Sequence, residues 1–349
     1  APELGSYLSQ EYEAPQGEIE EILAGIWKEL LRVERVGRHD NFFELGGHSL
    51  LAVVVLNRLR NKGMHVSLAS LFRHSTIASL AESILLGGDR QLSDRGVVTM
   101  REHGSEIPLF LVHEFTGDVF PLFPLSRHLR NGVPVYGLQM GEDSRLESLE
   151  ALAGQHIENI RKIQPAGPYR LAGHSLGGVL AYEIARQLAG DGEGVEFLGL
   201  IDSYCPTADL GLPRTVSIHQ ALLMYVELTV PDLEPERWAV LRAAKDVDQA
   251  LAQCKLIKLL PDELGLAELD RWAKNSSAMM TMVANYRPWP LSVPTCLINA
   301  EGHMGDRGWR TLLGDNLHIE ATPGTHYGMI QAPQVAGLAQ AISLALVPA

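Results

Sequence analysis

Two hydrophobic rhythms divide this chain. In its first part Ile19, Ile22, Leu23, Ile26 and Leu30 stand three or four positions apart with Glu and Lys between them, the spacing of an amphipathic helix. A loop holding Gly37, Asp40 and Gly46-Gly47 follows, then a helix over 49–62, a short one over 68–72, and another entered through Ser75-Thr76 and running to about 86. Four helices in so short a stretch predict a small bundle with Trp27, Leu30, Phe42, Phe43, Leu45, Leu56, Leu59 and Leu80 in its core.

The second rhythm is an alternation. Short apolar runs at 109–112, 135–138, 169–172, 197–201, 295–299 and 317–320 are separated by helical patterns such as 149–163 and 176–188. Buried strands spaced by helices predict a mostly parallel sheet with helices on both faces. Between about 204 and 288 the strand signal vanishes, and Pro231, Pro235, Pro261 and Gly265 punctuate a helical stretch. This insertion is expected to lie over one end of the sheet as a lid. The resulting division is a polar lead over 1–15, a bundle over 16–87, a Gly-rich and polar linker over 88–105 that runs into an edge strand, and the α/β domain over 106–349.

Composition narrows the function. The 349 residues contain 46% hydrophobic side chains, enough for more than one core. A net charge of −13 argues against a nucleic-acid surface, which depends on clustered Lys and Arg. Cys205, Cys254 and Cys296 form neither a disulfide framework nor a metal-ligand pattern, and are read as packing residues in a reducing cytosol. No run approaches the roughly 20 apolar residues of a membrane span, so a soluble, cytoplasmic protein without a metal is expected. The first residue is Ala1, not Met, which is compatible with a piece of a longer polypeptide.

The tetrapeptide Gly-His-Ser-Leu occurs twice, in surroundings that ask for different chemistry. Gly173-His174-Ser175-Leu176 continues into Gly177 and completes G-x-S-x-G between an apolar strand and a helix, the context in which a sharp turn exposes a nucleophilic serine. Gly47-His48-Ser49-Leu50 continues into the apolar run 51–56 with no second glycine. Ser49 therefore opens a helix and looks like an attachment point.

A serine nucleophile needs a base and an acid, which in an α/β-hydrolase follow it in the order acid, then histidine. His326, in the loop Pro323-Gly324-Thr325-His326-Tyr327-Gly328 after the last strand, is the expected base; His303 and His318 are its competitors. Two acids stand at strand ends, Asp202 and Glu301, and the motif alone does not choose between them. The oxyanion would be held by the N–H groups of Leu176 and Phe115.

These motifs add up to a resemblance. The run Asp40-Asn41-Phe42-Phe43-Glu44-Leu45-Gly46-Gly47-His48-Ser49-Leu50 strongly resembles the core motif of peptidyl carrier domains of nonribosomal peptide synthetases, and Ala14-Pro15, Ile26-Trp27, Val36-Gly37, Leu71-Phe72 and Thr76-Ile77-Ala78-Ser79-Leu80-Ala81 agree with it. The remainder resembles the type I thioesterases that terminate such assembly lines. The resemblance implies 4'-phosphopantetheine on Ser49, where a helix N-terminus favours phosphate. It also implies an α/β-hydrolase fold, and it favours Asp202 over Glu301. Partners would be upstream condensation and adenylation domains, a phosphopantetheinyl transferase and a peptidyl thioester substrate, in the making of an antibiotic or siderophore. The thioesterase pattern has His-Pro-x-Gly/Ser-Gly at the oxyanion loop, and here His113-Glu114-Phe115-Thr116-Gly117 stands instead. Glu114 is read first as a solvated rim residue, with a part in proton handling as the alternative.

The expected reaction passes the peptide from the arm on Ser49 to Ser175, with release by water or by a nucleophile on the peptide itself. Leu222, Leu223, Met224, Met279, Met280 and Met282 would give the lid an apolar lining, though packing within the helices accounts for at least half of the Met residues. Leu50, Val54 and Phe72 are candidates for docking near the arm or for carrier core. Two other classes stay open: a lipase-like esterase with a helical appendage, and a carrier or docking module whose hydrolase half is inactive or proofreads.

Overall fold

In a computed structural model the described residues are 12–47, 49–64, 66, 68–86, 96–141, 143–207, 211, 213–230, 233–257, 259–260 and 265–347. The chain divides into two compact units, Ala1–Ser93 and Asp94–Ala349. Most of the lead over 1–15 and the first part of the 88–105 linker, up to 95, with Pro231 and Pro261, lie outside the described residues.

The first unit contains α1 (Gly17–Leu31), α2 (Ser49–Asn61), α3 (Leu68–Arg73) and α4 (Ile77–Leu85). Glu20, in the first turn of α1, is buried and accepts hydrogen bonds from the Gln16 N–H and from Arg38, which ties the helix to the loop that follows it. In that loop Asn41 Oδ1 accepts the Phe43 N–H, a local turn. The turn delivers the Phe42 ring to within 4.9 Å of the Trp27 ring centre. Thr76 and Ser79 form a capping box at the start of α4, and Phe42 N–H reaches the Ser75 carbonyl.

The core of this unit differs in part from the expectation. Trp27, Phe42, Leu59 and Leu80 are buried, together with Leu23, Ile26, Val54, Val55, Leu71 and Ile77. Leu30, Phe43, Leu45 and Leu56 are only half-buried. The apolar run in α2 is continuous, but a helix turns through about 100° per residue, so Ala52, Val55 and Leu59 face inward while Leu51 and Leu56 do not. Val54 is core and offers no docking surface; the side chains of Leu50 and Phe72 lie outside the described residues.

In the second unit the described residues form a seven-stranded sheet in the order β1-β3-β2-β4-β5-β6-β7. The strands are β1 (Val97–Arg101), β2 (Leu109–Val112), β3 (Val135–Leu138), β4 (Tyr169–His174), β5 (Val195–Ile201), β6 (Thr295–Ala300) and β7 (Leu317–Thr322). Only β1, at the edge, is antiparallel to its neighbour; the other pairings are parallel. Every residue of β2, β4 and β6 is buried, as strands covered on both faces require.

The connecting helices are α5 (Phe123–His128), α6 (Leu149–Ile163) and α7 (Leu176–Gly190), then α8 (Ile218–Thr229), α9 (Pro235–Arg242), α10 (Val247–Leu256) and α11 (Leu266–Asn285) between β5 and β6, and finally α12 (Arg310–Leu313) and α13 (Val335–Ala345). The sequence pattern did not announce α5, which follows a short 3-10 turn and has Pro at its start. Pro235 opens α9 and Gly265 precedes α11. Met279, Met280, Met282 and Leu222 are buried, and Leu223 and Met224 half-buried, so most of this apolar set packs helices together.

Candidate active site

The candidate catalytic residues of the second unit collect where parallel strands end. β4 stops at His174 and α7 starts at Leu176, so the single residue Ser175 makes the turn. Its φ of 54° and ψ of −124° lie where side chains are rarely tolerated, a strain of about 1–3 kcal/mol that surrounding structure must impose. Close approach imposes it here. A Cβ on Gly173 would stand 2.2 Å from the Gly177 carbonyl oxygen, and one on Gly177 would stand 2.5 Å from that of His113. Strand, helix and the loop after β2 thus meet at van der Waals distance, and the half-buried Ser175 projects from the junction.

His326 reaches this serine from the loop after β7. Its Nε2 is 3.0 Å from Ser175 Oγ, and its Nδ1 is 2.6 Å from Asp202 Oδ2. A carboxylate only accepts, so Nδ1 carries the proton and Nε2 is free to take the hydroxyl hydrogen of Ser175. Asp202 is the first residue past β5, with φ 46°, a left-handed conformation that Asp tolerates better than most residues. Its Oδ1 accepts the Ala300 N–H at 2.9 Å. His303 Nδ1 lies 2.9 Å from Oδ2, and the buried Arg307 guanidinium stands 3.0 Å from Oδ1 while bonding the Asp202 carbonyl.

The electrostatics follow from these contacts. Burial alone would raise Asp202, but the hydrogen bonds from His326 and the Ala300 N–H, and then the charges of His326 and Arg307, hold it well below the usual carboxylate range. His326 is lowered, first by burial and then by the neighbouring His174, and Asp202 restores only part of the loss. The imidazole is therefore kept in the neutral form that a base needs.

Glu301 lies elsewhere. It is exposed in the turn after β6, with its N–H on the Gly324 carbonyl. His318 is exposed on β7 and pairs with Glu320. His303, a competitor for the base, instead bonds both carboxylate oxygens of Asp202.

Leu176 begins α7, and Phe115 is buried in the loop after β2. The parallel register of Val112 with Gly173 sets that loop beside the serine turn. A bond from Gly117 N–H to Glu114 O closes the loop, and α11 holds it from outside. Asn275 Nδ2 donates to the Thr116 carbonyl at 2.8 Å. Asp118 accepts from Trp272 Nε1 at 3.0 Å and from both ends of the Arg271 guanidinium. These α11 contacts were not foreseen, because nothing local in 266–285 says which carbonyl the helix will face.

Glu114 is not a rim residue. Its side chain is buried, and Oε1 lies 2.5 Å from His174 Nδ1, while His174 Nε2 lies 2.7 Å from the His326 carbonyl. The reason is topological: β2 and β4 are neighbours, so the loop just past β2 and the last residue of β4 meet, with the His326 carbonyl on the other side of the His174 ring.

In the first unit, Ser49 is the first residue of α2, and His48 lies outside the described residues. The start of a 13-residue helix is a place that suits a phosphate group, because the first turn of a helix leaves N–H groups without helical partners and its dipole favours an anion. Among the described residues no helix is long and apolar enough to cross a membrane, and no cluster of His, Cys, Asp and Glu is arranged to hold a metal ion.

Residues 107–344 match the thioesterase domain family. The chain belongs to that family. Residues 21–84 match the phosphopantetheine attachment site family, so the chain is a carrier–thioesterase didomain in which an α/β-hydrolase-like domain follows a carrier that bears 4'-phosphopantetheine covalently. Among its relatives is malpibaldin synthetase of Mortierella alpina, 42% identical over 225 residues, which are 63% of this chain and 4% of that synthetase. A four-domain nonribosomal peptide synthetase bound to AMP and glycine aligns over 98% of this chain and 27% of its own, at 31% identity and a TM-score of 0.65. The NocB thioesterase domain, solved as a covalent complex with a fluorophosphonate nocardicin G analogue, aligns over 72% of this chain and 99% of its own, at 25% identity and a TM-score of 0.54. This chain thus spans a small part of the synthetases it matches.

Proposed function

We propose that this didomain releases the finished peptide of a nonribosomal assembly line. The observation that carries the reading is the hydrogen-bonded series Ser175–His326–Asp202 on a strained strand-to-helix turn, in a chain that also contains a carrier domain. Bound at Ser49, phosphopantetheine supplies a thiol that presents the acyl group as a thioester. Ser175 Oγ attacks the thioester carbonyl while His326 Nε2 takes its proton. The N–H groups of Leu176 and Phe115 receive the negative charge on the carbonyl oxygen. His326 then returns the proton to the departing sulfur as the C–S bond breaks, leaving an ester on Ser175. Asp202 keeps the imidazole in the right tautomer and balances its positive charge.

The same His326 next activates water, or an amine or hydroxyl of the peptide, to open the ester. Helices α8–α11 act as the lid that governs water access to this ester. Upstream condensation and adenylation domains would build the peptide, and a phosphopantetheinyl transferase would install the arm. Three free, buried cysteines suit the cytoplasm.

Ser175→Ala should lower hydrolysis of a soluble acyl thioester by a factor on the order of 10⁴ or more. Ser49→Ala should leave that hydrolysis intact, yet gain no mass when incubated with coenzyme A and a phosphopantetheinyl transferase. An arm still added to the Ser49→Ala chain, or hydrolysis surviving in Ser175→Ala, would overturn the assignment.

A further inference from the structure

Beneath the Ser175–His326–Asp202 series lies a second acid–histidine pair that the release chemistry leaves unused. Glu114 and His174 are both fully buried, and both imidazole nitrogens of His174 are committed. The His326 carbonyl only accepts, so His174 Nε2 bears a hydrogen. Nδ1 then faces the Glu114 carboxyl at 2.5 Å. Each partner belongs to a different segment of the site: Glu114 to the loop that carries Phe115, His174 to the strand end that carries Ser175, and the bonded carbonyl to His326 itself. Their positions depend on one another through two hydrogen bonds.

We propose that Glu114 and His174 form a buried ion pair that positions the oxyanion loop and the His326 loop against Ser175. Neither residue touches the reacting atoms; both act through the groups they hold. The inference rests on the proposed roles of Ser175 and His326 and adds residues whose removal has its own signature.

The charges around His174 favour its protonated form. Burial pushes His174 down, but the charge and hydrogen bond of Glu114 outweigh it and bring His174 above its ordinary value. The titratable groups facing the pair are His326 and Tyr327 from the loop after β7, Asp202 from the end of β5, and His113 from the end of β2, itself backed by His156 of α6. His326 lies 4.5 Å from His174, ring centre to ring centre. A positive His174 at that distance keeps the base neutral, so the pair sets the protonation of His326 as well as its place.

Two substitutions in the full chain separate these effects. The amide of Glu114→Gln can donate to a bare Nδ1 while Nε2–H still holds the His326 carbonyl, so the geometry survives without the charges. Its kcat on a small soluble thioester should stay within about threefold of wild type, with the acid limb of the pH profile moved to higher pH. Glu114→Met offers Nδ1 nothing. Its kcat should fall about tenfold to a hundredfold with KM kept, and labelling of Ser175 by a fluorophosphonate should slow by a similar factor.

An unmoved acid limb in Glu114→Gln, or wild-type kcat in a folded Glu114→Met chain, overturns the inference. If Glu114→Met does not fold, the pH profile of Glu114→Gln still decides. A wild-type chain that the fluorophosphonate does not label at Ser175 would instead bring down the underlying reading of the site.

Discussion

His326 shows how the surroundings of one side chain set its chemistry. Its imidazole is withdrawn from water beside another histidine, and both effects lower its proton affinity below the ordinary value of 6.5. With neutral His326 as the proposed base, a lowered value extends activity downward in pH. The acid limb of thioester kcat/KM should be centred below pH 6.5; a limb centred above 6.5 would contradict a lowered His326. Ser175 and His326 were legible as candidates because a nucleophile elbow and a histidine after the last strand have local signatures. The motif alone left Asp202 and Glu301 open, since each follows a strand, and only the family resemblance favoured Asp202. What separates them is a backbone turn that carries Asp202 into the interior while Glu301 stays exposed. Glu114 was misread for a related reason: its burial depends on a partner 60 residues away in the chain.

At the scale of elements, the site depends on how closely α7 approaches the end of β2. Replacing Gly177 by Ala would drive a methyl group to 2.5 Å from a backbone oxygen that has no side-chain freedom to yield. Gly177→Ala should destabilise the second unit by about 1–3 kcal/mol, measured by denaturant unfolding, and lower kcat more than it raises KM. A second dependence runs from α11 to the oxyanion loop. Asn275→Ala removes the donor on the Thr116 carbonyl but leaves the Asp118 contacts in place. A loss of about threefold to tenfold in kcat, with unfolding behaviour kept, is expected; unchanged kinetics would mean that the loop holds its shape unaided. The strands were readable because buried apolar runs punctuated by turns have few other uses. Their order was not, because pairing is a non-local property, and β3 lies between β1 and β2 only through a chain crossover. In α2 the apolar run hid which face points inward, which misplaced Leu56.

The whole molecule is two compact units with separate cores. Trp27 is fully buried in the first, and Trp27→Ala should cost that unit about 3–5 kcal/mol. Soluble-thioester hydrolysis, which needs only the second unit, should persist in the same preparation; its loss would show that the units do not fold separately. The division was readable from the change of hydrophobic period and from the two contexts of Gly-His-Ser-Leu. The central claim joins the units chemically: an acyl group held at Ser49 passes to Ser175. The most direct measurement loads the chain from an acyl-coenzyme A with a phosphopantetheinyl transferase and follows intact mass against time in wild type and Ser175→Ala. Wild type should shed the acyl group and keep the arm, while Ser175→Ala should retain both. Release from Ser175→Ala at the wild-type rate would contradict the central claim.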